Sequence, residues 1–478
     1  MSVAIIWFRQ DLRCHDNPAF ISGCNNHPVV IPLYILDDQT LLGSAQKWWL
    51  HHSLLALEES LQKQGLALLL RRGKAIDILS QLSQELKVDT VYWNRCYEPS
   101  AIQRDSLIKK TLGGQGINVL SSNGSLLNEP WTIKNKSGGY FKVFTPFWRH
   151  CLTEMSIPEP MVKYGHPSAP PLYSEPLQDW NLLPEKPNWA AAFHTYWQPG
   201  ENGAQKRLDR FINNALNGYH TSRDIPELDS TSRLSPHLHF GEISPWHLWR
   251  TLKQAQFAKD IDSASIERFL AELGWREFSY HLLYHFPELP HSNFKSEFNA
   301  FPWRIDDSGL RCWQQGMTGY PIIDAGMREL WQTGYMHNRV RMIVASFLTK
   351  DLMIDWQQGA AWFFDTLLDA DLANNSASWQ WVAGSGADAA PYFRIFNPIL
   401  QSKKFDPHGN YIRQWVPELA KVPSEWIHQP WLAPQPVSGL IGKNYPKPIV
   451  DHDQAREQAL SLYKMLPKKE TQVGNGYK

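Results

Sequence analysis

The hydrophobic period of this chain changes part-way along, and that change limits what it can fold into. Over the first 130 residues, short β-branched runs read as strands: VAIIWF (3–8), VVIPLYIL (29–36), ALLLRRG (67–73), TVYWNR (90–95) and NVLSS (118–122). KWWLHHSLLALEESLQKQG (47–65) and AIDILSQLSQEL (75–86) lie between them with apolar residues at helical spacing. Strands alternating with helices predict a parallel sheet covered on both faces, a doubly wound, Rossmann-like α/β domain over 1–130. It lacks GxGxxG and the Walker lysine loop, so a tightly held dinucleotide is not expected there. Eight prolines between residues 158 and 187 mark an interdomain linker, read as 131–200. From 201 to 478 the pattern is long and helical, as in SIERFLAELGWREFSYHLLYHF (265–286), which predicts an all-α domain.

Composition removes several classes of function. No window holds enough consecutive apolar residues for a transmembrane helix, so no membrane partner is expected. Arg9 and Asp11 come too early for a signal peptide, and five scattered cysteines fit a reducing cytoplasm with no structural zinc. The 18 histidines lack ligand spacing, so no metal is expected. With 47 basic and 47 acidic residues, any nucleic-acid surface must be a local patch. Tryptophan is abundant, at 22 residues, and core filling explains most of them.

In the helical part, polar groups gather beside indoles. Glu272, Trp275 and Arg276 stand at i, i+3 and i+4 and share one helix face. Asn338, Arg341 and Met342 repeat that spacing, and a buried amide there needs hydrogen-bond partners. Asp369, Asp371, Asn374 and Asn375 mark a turn or helix entry. Thr231, Ser232, Arg233 and Ser235 precede an apolar stretch, where hydroxyls, backbone N–H groups and one arginine make a phosphate cradle or a plain N-cap. Their co-occurrence is the inventory for a large cofactor with a pyrophosphate and a polyol.

Six segments, WFRQDLRCHDNP, TSRLSPHLHFGEIS, WREF, GYPIIDAGMREL, HNRVRM and DADLANNSASWQWVAGSGADAAPYFRIFNP, resemble the DNA photolyase/cryptochrome family, and its bacterial cyclobutane pyrimidine dimer branch most. The resemblance implies a monomer with an α/β antenna domain and a helical domain that binds FAD, active in its reduced form. It implies light-driven repair, in which excited reduced FAD passes an electron to a dimer flipped out of DNA. The alternative is a cryptochrome-type photoreceptor without repair. By resemblance, FAD contacts fall on Tyr219, Thr231, Ser232, Arg233, Leu234, Ser235, Arg276, Asp369, Asp371 and Asn375. Asn375 would sit beside the flavin N5. Trp379, Trp356 and Trp313 would form a file of indoles carrying electrons from the surface.

The resemblance sets the lesion pocket on Glu272, Trp275, Asn338, Met342 and Trp381, with Glu272, Asn338 and Asn375 closest to the chemistry. Flat indoles suit extruded bases, and Glu272, when protonated or strongly hydrogen-bonded, would stabilise the dimer radical anion. Arg223, Arg339, Arg394 and Gln401 would contact DNA phosphates, with Lys403 and Lys404 adding local charge. Asn338 and Met342 stand where a (6-4) enzyme would need histidines, and Trp275 and Trp381 stand where a plant-type cryptochrome would tend to have smaller aromatics. The antenna is read as 5,10-methenyltetrahydrofolate because the first domain resembles that of folate-using bacterial relatives; Ser100 and Ala101, which replace an Asn-Glu pair of some of them, leave a deazaflavin or flavin as alternatives. Gln380 is read only as a spacer between two indoles.

Overall fold

The computed structural model describes residues 2–389, 393–435 and 437–467. Its chain packs into two units, one of Met1–Pro287, Leu330–Tyr335 and Phe363–Asn374, the other of Glu288–Glu329, Met336–Trp362 and Asn375–Lys478.

The first unit is built on five parallel strands: β1 (Val3–Phe8), β2 (Val29–Leu36), β3 (Leu69–Arg72), β4 (Thr90–Asn94) and β5 (Asn118–Ser122). They lie in the order β3-β2-β1-β4-β5, so the direction of winding reverses between β1 and β4. Side chains on a strand alternate between faces, and β1 is apolar at every position. Ala4, Ile6 and Phe8 join one core with residues of helices Pro18–Asn26 and Ser44–Gln62. Ile5 and Trp7 join the other with residues of helices Ala75–Glu85 and Pro99–Gly114. Two helices therefore cover each face, as the doubly wound reading requires.

Open α/β sheets bind ligands in the crevice beyond the strand ends at such a reversal. Here the crevice is filled from within. Arg9 lies over the ring of Trp7 at 4.6 Å and pairs with Asp105, while Arg104 lies 5.0 Å from the same ring.

The proline-rich stretch is pinned along this unit. Val30 N donates to Ser168 O (2.9 Å), Leu70 N to Ser174 Oγ (2.9 Å), and Tyr164 N to Asn25 Oδ1 (2.9 Å). Within 131–200 a helix, Phe144–Glu154, packs on helix Ser263–His285, an element the periodicity reading does not include. The packing is close enough that a Cβ on Gly274 would lie 2.6 Å from the Trp148 ring. Helix Ser263–His285 starts at Asp262, whose carboxylate accepts the N–H of Ser265 at 2.7 Å.

The second unit contains helices Asp307–Gln315, Asn338–Ser346, Pro398–Phe405, Asn410–Trp415 and His452–Lys464, with a π-helical turn at Phe347–Asp351. Phe298, Phe301, Met353, Phe393, Ala459 and Leu466 form one of its cores. No helix among the described residues is long and apolar enough to cross a membrane.

Candidate functional site

In the first unit, helix Ser263–His285 presents three of the expected residues on one face. Glu272 is paired with Arg223, and Arg268 lies 3.3 Å from the same carboxylate oxygen. Arg223 is 5% exposed, so it is not a surface phosphate contact as it stands. Burying a guanidinium is unfavourable without a counter-charge, and Glu272 supplies it. One turn on, Trp275 stacks on Phe144 with centroids 3.7 Å apart and planes 8° from parallel. Phe144 is absent from the sequence-based site because its segment carries only a linker signature. Its helix places it there.

Arg276 donates to Ser125 O (2.7 Å) and lies over the Tyr280 ring at 5.1 Å. The Tyr280 hydroxyl donates to Asp371, which also accepts the Asn374 backbone N–H (2.8 Å) and side-chain amide (2.9 Å). Burial works to raise the Asp371 carboxyl. His239 at 3.7 Å, Arg276 and the Tyr280 hydroxyl overcome it and hold the group down at about 2. Ser235 Oγ donates to Asp369 Oδ2 at 2.5 Å. The structure thus brings Ser235 to Asp369, and Arg276 and Tyr280 to Asp371. Tyr219 is buried against Phe211 and Phe269.

The Thr231 to Ser235 loop is held from behind. Arg13 donates to Gly241 O (2.8 Å), and Trp49 Nε1 donates to Glu242 (3.0 Å), which pairs with buried His237. Arg233 has φ of 50°, a left-handed conformation unusual for a side chain of its size. Beside Thr231 and Ser232 lies a cavity of about 190 Å³, also lined by Arg207, Arg210, Asn214 and Asp229. Arg233 Nε lies 3.6 Å from Asp229 and His239 Nδ1 lies 3.7 Å from Asp371, each facing a carboxylate just beyond hydrogen-bond reach. Around the cavity itself, the hydroxyls of Thr231 and Ser232 and the guanidiniums of Arg207 and Arg210 fit the pyrophosphate of a cofactor.

The second unit holds the remaining residues. Asn338 is the first residue of its helix and is exposed, so the expectation of a buried amide does not hold. Met342, one turn on, is half-buried. Arg339 lies over the Phe405 ring at 4.4 Å, on the helix that carries Gln401, Lys403 and Lys404. These basic groups are brought together. Trp381 is half-buried, donates to Asp388 O (3.2 Å), and lines a cleft with Ser346, Gly384, Arg394 and Phe396. Asn375 donates to Ala360 O at 2.9 Å.

The indole file differs from its expected course. Trp379, Trp356 and Trp313 are 2, 1 and 0% exposed, so Trp313 does not open the file to solvent. Trp313 lies 6.2 Å from Trp379 edge to face and donates to Val344 O. Half-buried Trp303 precedes Arg304, which bridges to Ile354, two residues before Trp356.

Residues 4–168 match the family model "DNA photolyase", and residues 269–465 match "FAD binding domain of DNA photolyase". The chain belongs to the DNA photolyase family. The "Deoxyribodipyrimidine photo-lyase" of Agrobacterium fabrum is 51% identical over 97% of this chain and 98% of its own. The crystal structure of a bacterial class III photolyase from Agrobacterium tumefaciens superposes with a TM-score of 0.94 at 51% identity, covering 98% of each chain. Cryptochrome-2 of Arabidopsis thaliana is 40% identical over 95% of this chain and 77% of its own. As a photolyase-family flavoprotein, the chain takes FAD as its cofactor, which the cavity and donor set described above fit.

Proposed function

We propose that this protein uses light to reverse cyclobutane pyrimidine dimers in DNA. The observation that carries this reading is the half-buried Trp275 indole, backed ring on ring by Phe144 and one turn from Glu272. An extruded dimer needs a flat apolar wall and a polar partner for its carbonyls. Phe144 fixes the plane of the wall, and the other indole face takes a base. The Arg223 guanidinium beside Glu272 holds that side chain in place, and its positive charge offsets the negative charge that develops on the lesion. Reduced FAD, when bound, supplies the electron. Thr231, Ser232, Arg233 and Ser235 hold its phosphates, and Asp369, Asp371 and Arg276 orient the rest. Arg339, Arg394 and Gln401 take DNA phosphates, which makes affinity salt-dependent.

Neither Asn338 nor Met342 supplies the imidazole acid that a (6-4) reaction requires. Trp275→Ala is expected to weaken binding of dimer-containing DNA by about 1–3 kcal/mol, measured by titration, with undamaged DNA bound as before. Equal weakening for both DNAs would remove Trp275 from lesion recognition.

A second reading is favoured by the 40% identity to a cryptochrome. A photoreceptor would show light-driven flavin reduction and altered partner affinity, with no loss of dimers.

For the antenna we keep 5,10-methenyltetrahydrofolate. The crevice at the sheet reversal is filled by Trp7, Arg9, Arg104 and Asp105, which argues against a second flavin there. Absorbance of the extracted chromophores of purified protein checks this.

A further inference from the structure

Gln380 is fully buried, and its amide is saturated. Nε2 donates to Leu289 O (2.7 Å) and Ser292 O (2.8 Å), while Oε1 accepts the N–H of Phe294 (2.8 Å). Three hydrogen bonds to backbone groups thus tie the helix carrying Trp379 to the segment 289–294. That segment also holds Asn293, whose Oδ1 accepts the indole N–H of Trp356 at 3.0 Å. Asn293 is itself fixed through its amide nitrogen, which donates to Asn299 Oδ1 at 2.9 Å.

Trp379 is set against the helix Trp356–Thr366 by a second contact. A Cβ on Gly359 would lie 2.1 Å from Trp379 Cη2, so only glycine lets the indole lie on that backbone. Trp356 is one turn before Gly359. The two indoles are therefore referenced to each other twice, through Gly359 and through the route Gln380, 289–294, Asn293.

We propose that Gln380 is a positioning residue for electron transfer between Trp356 and Trp379, acting through Asn293. This rests on the reading of these indoles as a relay. In that relay Trp379 gives one electron to the light-excited flavin and regains one from Trp356. A thiol at the surface gives one electron across the intervening protein to Trp356, which is 1% exposed. That thiol loses its proton to solvent and joins a second, oxidised in the same way, as a disulfide. An indole that has lost an electron becomes a much stronger N–H donor, so an amide oxygen held against Nε1 stabilises Trp356 in that form. Loss of the clamp lets Asn293 drift, weakening this acceptor and slowing the transfer.

The test compares FAD-loaded Gln380→Met, Asn293→Leu and Trp356→Phe with the parent. The readouts are transient absorption of oxidised tryptophan and flavin photoreduction with a thiol present. Gln380→Met keeps the volume and removes the three bonds; Asn293→Leu removes only the acceptor on Trp356. Both are expected to slow refilling of Trp379 severalfold, and Asn293→Leu reduced beforehand with dithionite is expected to repair dimers as the parent does. Should Gln380→Met fail to hold FAD, Asn293→Leu alone decides. Photoreduction at the parent rate in Asn293→Leu, with Trp356→Phe impaired, overturns the positioning role. Parent-rate photoreduction in Trp356→Phe overturns the relay reading itself.

Discussion

Helix Ser263–His285 and helix Leu372–Ala383 both carry indoles that the sequence reading singles out, yet they hold them by different means. On the first, charged groups surround Trp275: Glu272 paired with Arg223, Arg276 over Tyr280, and Glu277 buried behind. On the second, Trp379 is packed against glycine and another indole, and its neighbour Gln380 is bonded to backbone groups. Charges fix one region and close packing the other. The first should therefore respond to pH and to loss of a charge, and the second to changes of volume.

Glu272→Ala breaks the comparison hardest, because it leaves buried Arg223 with only Asp224, 3.8 Å away, as counter-charge. The expected destabilisation is about 3 kcal/mol, read by chemical denaturation, together with loss of repair. Unchanged stability would mean that Arg223 finds another counter-charge.

Glu277 sharpens it. Burial pushes its carboxyl up to about 7, against the pull of Arg276 and of the Leu127 and Asn128 N–H groups. The unfolded chain takes that proton near the ordinary 4.5, so between 4.5 and about 7 the folded state binds more protons. Stability from this group is full below 4.5 and declines as pH rises to about 7, by on the order of 3 kcal/mol in all. Denaturation of Glu277→Gln across that range is expected to show a flatter profile than the parent.

Gly359→Ala probes the packed region. The new methyl would meet Trp379 at 2.1 Å, so a loss of about 1–3 kcal/mol in stability and slower flavin photoreduction are expected, with no change in pH profile.

The fold was legible because β1 is apolar on both faces and the helices keep a 3.6 period over long stretches. The motif-bearing residues were legible as types, but their environments were not. Asn338 sits at a helix start and is exposed, while Arg223 looks like a surface cation and is buried. Local spacing does not report which distant chain covers a side chain. Phe144 and Gln380 were missed for the same reason, since their partners lie 131 and 86 to 91 residues away in sequence.

The central claim is repair of one lesion class by light. Purified protein with reduced FAD, given DNA bearing either cyclobutane dimers or (6-4) products under blue light and in the dark, tests it directly. Dimers are expected to disappear in the light alone, with (6-4) products unchanged. Dimers that persist under light while the flavin cycles would contradict the claim and point to the photoreceptor.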